Sequence, residues 1–148
     1  MPMIDVYAPA DIFPADADEQ LGNELALAVL RAEGVANPVP FQSNNTAAFV
    51  HRLPVVSTAA QPNARAVRVQ IITPPGSLNR DGQKQITKEA TEIVSRIAGD
   101  PSLAERTWVI LSIAAEGGWG IAGTAYGQEE FGALAAAAAA ARAASAAN

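Results

Sequence analysis

Met1-Pro2-Met3-Ile4-Asp5-Val6-Tyr7-Ala8 opens the chain, and its apolar, β-prone residues read as a strand over residues 2–8. Proline suits the first position of a strand, where its missing N–H breaks no ladder. A small second residue permits removal of the initiator methionine, which would leave the Pro2 ring nitrogen as a free secondary amine. Such an amine titrates near pH ~8, and an apolar pocket or a nearby cation moves it toward neutrality. Proton-transfer catalysis needs a base poised near the working pH, so Pro2 is the leading catalytic candidate.

Working outward, a turn-like stretch from Pro9 to Pro14 leads into a predicted helix from about Asp16 to Glu33. Leu21, Leu25, Ala28, Val29 and Ala32 recur there at helical spacing on one face. Gly34 stops the helix, Asn37-Pro38 and Pro40 form a connector, and residues 46–53 read as a second strand. After a polar linker at 59–63 the design recurs. Val67-Arg68-Val69-Gln70-Ile71-Ile72-Thr73 is the clearest strand, and a Pro74-Pro75-Gly76 turn follows it. Next comes a helix from about Asn79 to Ala98 with Ile86, Ala90, Ile93 and Ile97 on one face, then a strand over 107–114. Pro2 and Val67, Asp16 and Asp81, Leu21 and Ile86, and Ala32 and Ile97 each stand 65 positions apart. The constant offset predicts an internal βαβ duplication with halves at about 2–58 and 64–124; the alternative is two ordinary βαβ units of matching length. The predicted fold class is α/β (α+β), with tandem βαβ units forming a mainly four-stranded sheet and two helices on one of its faces.

The 148 residues are 49% hydrophobic, enough to bury one core, and the domain is expected to occupy residues 1–127. With no cysteine, disulfides, thiolate metal sites and cysteine nucleophiles are excluded. The single histidine, His51, speaks against a protein-built zinc site, and neither metal nor cofactor is expected. A net charge of -5 with ten dispersed Lys and Arg residues argues against nucleic acid as a partner. No bulky apolar run of about 18 residues or secretory leader is seen, so no membrane association and a cytoplasmic location are expected. Residues 128–148 are Ala-rich, with Glu129-Glu130 in front and seven alanines before Arg142. They read as a helical C-terminal extension with little to bury.

Beyond the fourth strand, Glu116-Gly117-Gly118-Trp119-Gly120-Ile121-Ala122-Gly123 reads as a glycine-punctuated hairpin or loop around one large aromatic. A strand beginning at Pro2, a helix opening Arg80-Asp81-Gly82-Gln83-Lys84, a Trp108-Val109-Ile110-Leu111 strand and this hairpin together resemble the tautomerase superfamily typified by 4-oxalocrotonate tautomerase. The resemblance covers roughly residues 2–124 and is to the long form, in which two βαβ units are fused. It implies a tautomerase/MIF-like homotrimer and an isomerase whose N-terminal proline, here Pro2, is the general base for keto-enol proton transfer on a small 2-oxo or enol carboxylic acid. It also implies that Trp119 closes the pocket. Two other outcomes are open. One is a dehalogenase, hydratase or decarboxylase of the same superfamily with cationic Pro2 as the acid, favoured by a carboxylate such as Glu116 near Pro2. The other is a trimeric binding protein without chemistry.

The family's arginines, one before the helix and one on the strand after it, are not reproduced in place: those positions align with Asp16 or Asn79 and with Trp108. An anionic substrate in a low-dielectric pocket still needs a cation, and Arg forms the two-pronged contact a carboxylate prefers. The substrate-binding candidates are Arg68, Arg80 and Arg106, with Arg52 behind them and Trp108 and Trp119 as apolar walls. Against these stand exposed strand charges for Arg68, Arg52 and Arg106, a solvated first-turn residue for Arg80, and a core or subunit-interface role for Trp108. Tyr7, His51 and Glu116 are secondary candidates.

Overall fold

Alternation along the first strand decides what the sheet covers. Ile4, Val6 and Ala8 are buried, whereas Met3, Asp5 and Tyr7 between them are only partly so. In the computed structural model, which describes residues 1–146, this strand is β1 (Met3–Pro9). It is followed by α1 (Asp18–Ala32), the short α2 (Pro40–Asn44) and β2 (Ala47–Leu53). The second half runs β3 (Val67–Thr73), α3 (Arg80–Ala98), a 3-10 turn (Pro101–Arg106) and β4 (Thr107–Ile113). Then come β5 (Trp119–Ile121), β6 (Thr124–Tyr126) and α4 (Gln128–Ala146).

The chain divides into two compact units. The first, Met1–Thr73 with Ser77–Ser112, holds a four-stranded mixed sheet in the order β2-β1-β3-β4. β1 pairs with β2 in parallel and with β3 antiparallel. The two halves meet at the β1–β3 seam, where Asp5 pairs with Gln70, the residue 65 positions on. α1 and α3 pack against each other, and Leu21, Leu25 and Val29 of α1 and Ile86, Ala90 and Val94 of α3 join Ile4, Val6, Val67, Val69 and Ile71 in one core. The tandem βαβ architecture expected from the sequence is the one observed.

The structure adds local detail. The connector at 37–45 contains α2, opened by Pro40 at a position where a helix needs no N–H. The stretch after Asp100 is a 3-10 turn, begun by the Asp100 side chain accepting from the Ser102 backbone N–H. Arg52, at the end of β2, is bound into the architecture: its guanidinium donates to the Asp18 carboxylate and to the carbonyls of Ala10, Phe13 and Pro14. These bonds tie the β1–α1 loop to the sheet.

The second unit, Pro74–Gly76 with Ile113–Asn148, contains a separate two-stranded sheet. β5 and β6 turn through Ala122-Gly123, both at positive φ (49° and 80°), as a two-residue hairpin requires. Within this unit the hairpin pairs with itself and touches α4 through β6. The expected extension begins at Gln128 as α4, while its last two residues, 147–148, lie outside the described residues.

Candidate active site

Strand register and one glycine bring three groups to the same end of the first unit. Because β1 and β3 are antiparallel, Met3 lies opposite Ile72, and the start of β1 meets the end of β3. α3 then returns so that its first turn touches the last turn of α1. A Cβ on Gly82 would stand 2.4 Å from the Ala32 carbonyl oxygen and 2.8 Å from Leu78 Cδ1. Only the missing side chain allows that approach. The residue after Ala32 is Glu33, the C-cap of α1.

Glu33 Oε2 accepts a hydrogen bond from the Met1 ammonium at 3.0 Å, with side chains only 7% exposed for Met1 and 4% for Glu33. Its other oxygen, Oε1, is buried and has no hydrogen-bond partner among the described residues. Buried carboxylate oxygens are ordinarily hydrogen-bonded, which makes this one an exception. Pro2 is buried beside this pair, and its carbonyl accepts from Ala47 N at 3.3 Å, which pins the strand start to β2. The pairing joins an amine that can carry a proton to a carboxylate that can hold one.

Sequence reasoning missed Glu33. One signal was available: a carboxylate at a helix C-terminus opposes the helix dipole, and Glu33 stands there without any benefit to α1. Local rules broken without local gain concentrate at functional sites.

Arg80 is the first residue of α3, whose N-terminus is capped by Asn79 Oδ1 accepting from Gly82 N at 2.8 Å. Its guanidinium is exposed and donates to Gln83 Oε1 at 3.2 Å. With Lys84, Lys88 and Leu111 it lines a groove of about 620 Å³ along α3. Arg80 is therefore the predicted cation that the topology brings to the Pro2 end.

Arg68 and Arg106 lie at the other end of the four-stranded sheet. Arg68 pairs across from Tyr7, five residues along β1 from Pro2, roughly 17 Å at strand rise. It stacks over the Tyr7 ring at 4.2 Å, Tyr7 stacks on His51 at 4.4 Å, and His51 Nε2 contacts Asp5 Oδ1 at 2.7 Å. These four residues form a file on the sheet face away from the helices. Arg106 is held at the far end, donating to the Arg65 carbonyl at 2.7 Å, to Ser102 and to Asp100. Trp108 is 48% exposed on β4. Trp119 is buried in the second unit, opposite Tyr126 in the hairpin. Glu116, in the same unit, accepts from Gln128 N at 2.6 Å and so caps α4.

No protein-family model matches the sequence, and no curated protein matches it. Solved structures do match the fold. A symmetric trimer of fused 4-OT has a TM-score of 0.69 at 17% identity, over 82% of this chain and 93% of that one. A macrophage migration inhibitory factor-like protein from Entamoeba histolytica has 0.68 at 12% identity, over 84% and 98%. A member of the cis-3-chloroacrylic acid dehalogenase family has 0.67 at 13% identity, over 90% of each chain. The chain thus has the fold of the tautomerase superfamily. Among the described residues no helix is long and apolar enough to cross a membrane.

Proposed function

We propose that the chain is a tautomerase acting on a small 2-oxo or enol carboxylic acid. Removal of Met1 frees Pro2 as a secondary amine, which is the general base: it takes the enol proton and returns it to carbon. Arg80 receives the substrate carboxylate, and its charge stabilises the oxygen on which negative charge develops. The observation that carries this reading is the buried N-terminus, paired with Glu33 at the end of the sheet where the first turn of α3 presents Arg80. The side chain of Met1 is itself largely enclosed, so its loss would open space beside Pro2 for a substrate.

The working unit is proposed to be a homotrimer. Phe49, Trp108 and Ile110 are 51%, 48% and 45% exposed. All three lie on the sheet face that α1 and α3 leave uncovered, a larger apolar display than a monomer usually keeps. The fused 4-OT neighbour is described as a trimer, which supports the reading.

The test begins with the intact mass of the native protein, expected to be short by one methionine. Ketonisation of a 2-hydroxyenoic acid is then followed in wild type and Pro2→Ala. Loss of roughly a hundredfold or more in kcat/KM is expected in the variant. A full-length mass, or equal turnover by the two proteins, would overturn the reading.

A further inference from the structure

We infer that the fold locks Met1 in place through Glu33, so that the Pro2 amine is freed only before β1 enters the sheet, and a chain that folds with Met1 attached stays capped. This goes beyond the proposed function, which needs the amine free, by assigning when it is freed and what otherwise holds it closed. Excision is a hydrolysis. Water adds across the Met1–Pro2 peptide bond, methionine leaves with the hydroxyl, and the Pro2 nitrogen keeps the hydrogen as a secondary amine. A methionine aminopeptidase does this on a chain end that it can enclose, with the ammonium, the methionine side chain and the first peptide bond inside its own cleft.

In the folded chain each of those groups is engaged. The Met1 ammonium donates to Glu33 Oε2 at 3.0 Å, and the two side chains are 7% and 4% exposed. By contrast the Arg31–Glu89 pair is 50% and 28% exposed, so water reaches it. Pro2 is buried, and its carbonyl accepts from Ala47 N at 3.3 Å. At the next residue β1 begins, with Met3 paired to Ala47 of β2 on one side and to Ile72 of β3 on the other. Drawing Met1 into an enzyme's cleft therefore peels the start of a strand that is paired on both sides. It also strips the counter-charge from an enclosed carboxylate, which costs far more than parting an exposed pair. Both costs arise only on folding. β2 and β3, at Ala47–Leu53 and Val67–Thr73, are synthesised after β1, so the growing chain carries its terminus unpaired. At ~5–20 residues per second that leaves a window of several seconds for excision.

The experiment uses the full chain with Met1 retained, made in cells whose methionine aminopeptidase is inhibited. Purified aminopeptidase is added and intact mass is followed with time, beside a peptide of the first eight residues, Met1 to Ala8. Excision from the folded chain is expected to be at least about a hundredfold slower than from the peptide, because it waits for the start of β1 to open. Glu33→Gln keeps the shape and removes the charge, and should speed excision from the folded chain at least about tenfold, with circular dichroism as the check on folding. A folded wild-type chain processed within about threefold of the peptide's rate overturns the inference. So does a folded Glu33→Gln chain processed no faster than wild type, since Glu33 is then not the lock. If Glu33→Gln fails to fold, the comparison of wild type with the peptide decides alone. None of these readings needs turnover: should Pro2→Ala equal wild type in ketonisation, the proposed function falls, while slow excision still upholds the lock.

Discussion

Arg80 has its guanidinium in solvent and donates to the side chain of Gln83, three residues on in its own helix. Truncating it therefore costs the fold little, and its effect should appear in binding. Arg80→Ala is expected to raise KM by roughly ten- to a hundredfold, the equivalent of one charge-assisted hydrogen bond, with an unchanged melting temperature. Arg80→Lys should recover only part, since an ammonium lacks the two-pronged geometry. Steady-state kinetics beside a thermal melt checks both. Asp100 shows the opposite case, a charge that serves the fold. The Ser102 hydroxyl, then the Ser102 backbone N–H and Arg106, hold its carboxyl below the ordinary 3.8. A value depressed by folding gives a contribution that is complete above the unfolded value and lost as pH falls below 3.8. Asp100→Asn should thus lower the urea midpoint at pH 7, and the difference from wild type should shrink toward zero in more acid solution. At this scale Pro2 was legible because its chemistry depends on its place in the chain. Glu33 was not, because a helix-terminal carboxylate reads as solvated until its neighbour 32 positions away is known.

The elements were legible where a period repeats. Strand alternation in β3 and the apolar face of α3 appear in the burial pattern as they do in the residues. Asn79 before Arg80-Asp81-Gly82 reads as a helix start, and its side chain makes the cap. Asn79→Ala is expected to destabilise the protein by about 1 kcal/mol, measured by denaturant unfolding. Gly82 was less transparent. A glycine in the first turn of a helix looks like a weakness, yet here it is what lets α3 touch the Ala32 carbonyl. Gly82→Ala should cost about 1–3 kcal/mol, because the new methyl meets backbone that cannot rotate away. A gain in stability from helix propensity would show that the two helix ends move apart freely. The short α2 and the 3-10 turn are too brief to repeat an apolar period several times, and α2 reads from the sequence as part of a connector.

For the whole molecule the informative surface is the bare sheet face with Phe49, Trp108 and Ile110. If three chains close around it, Trp108→Glu or Ile110→Lys should leave monomers or insoluble protein. Light scattering of the eluting species, with wild type at three chain masses, is the measurement. A monomeric wild type would remove the trimer from the proposal and leave the exposed aromatics without an account. The file of Arg68, Tyr7, His51 and Asp5 lies on that same face, so any assembly there must accommodate its charges.

What the sequence determined by itself is local in origin: the strands of the four-stranded sheet, the two long helices and the start of the second at Asn79. These follow from side-chain periods of two and 3.6, which neighbouring residues carry without reference to the rest of the chain. Only the tertiary structure decided that β1 and β3 meet antiparallel at the centre, and the site depends on that choice. Antiparallel pairing puts the start of one half beside the end of the other half's first strand. Arg80 is thereby brought to the Pro2 end, while Arg68 and Arg106 stay at the other. The same closure sets Glu33 against the N-terminal amine. Contacts between residues far apart in the chain depend on which strands pair and in what direction, and no local period records that.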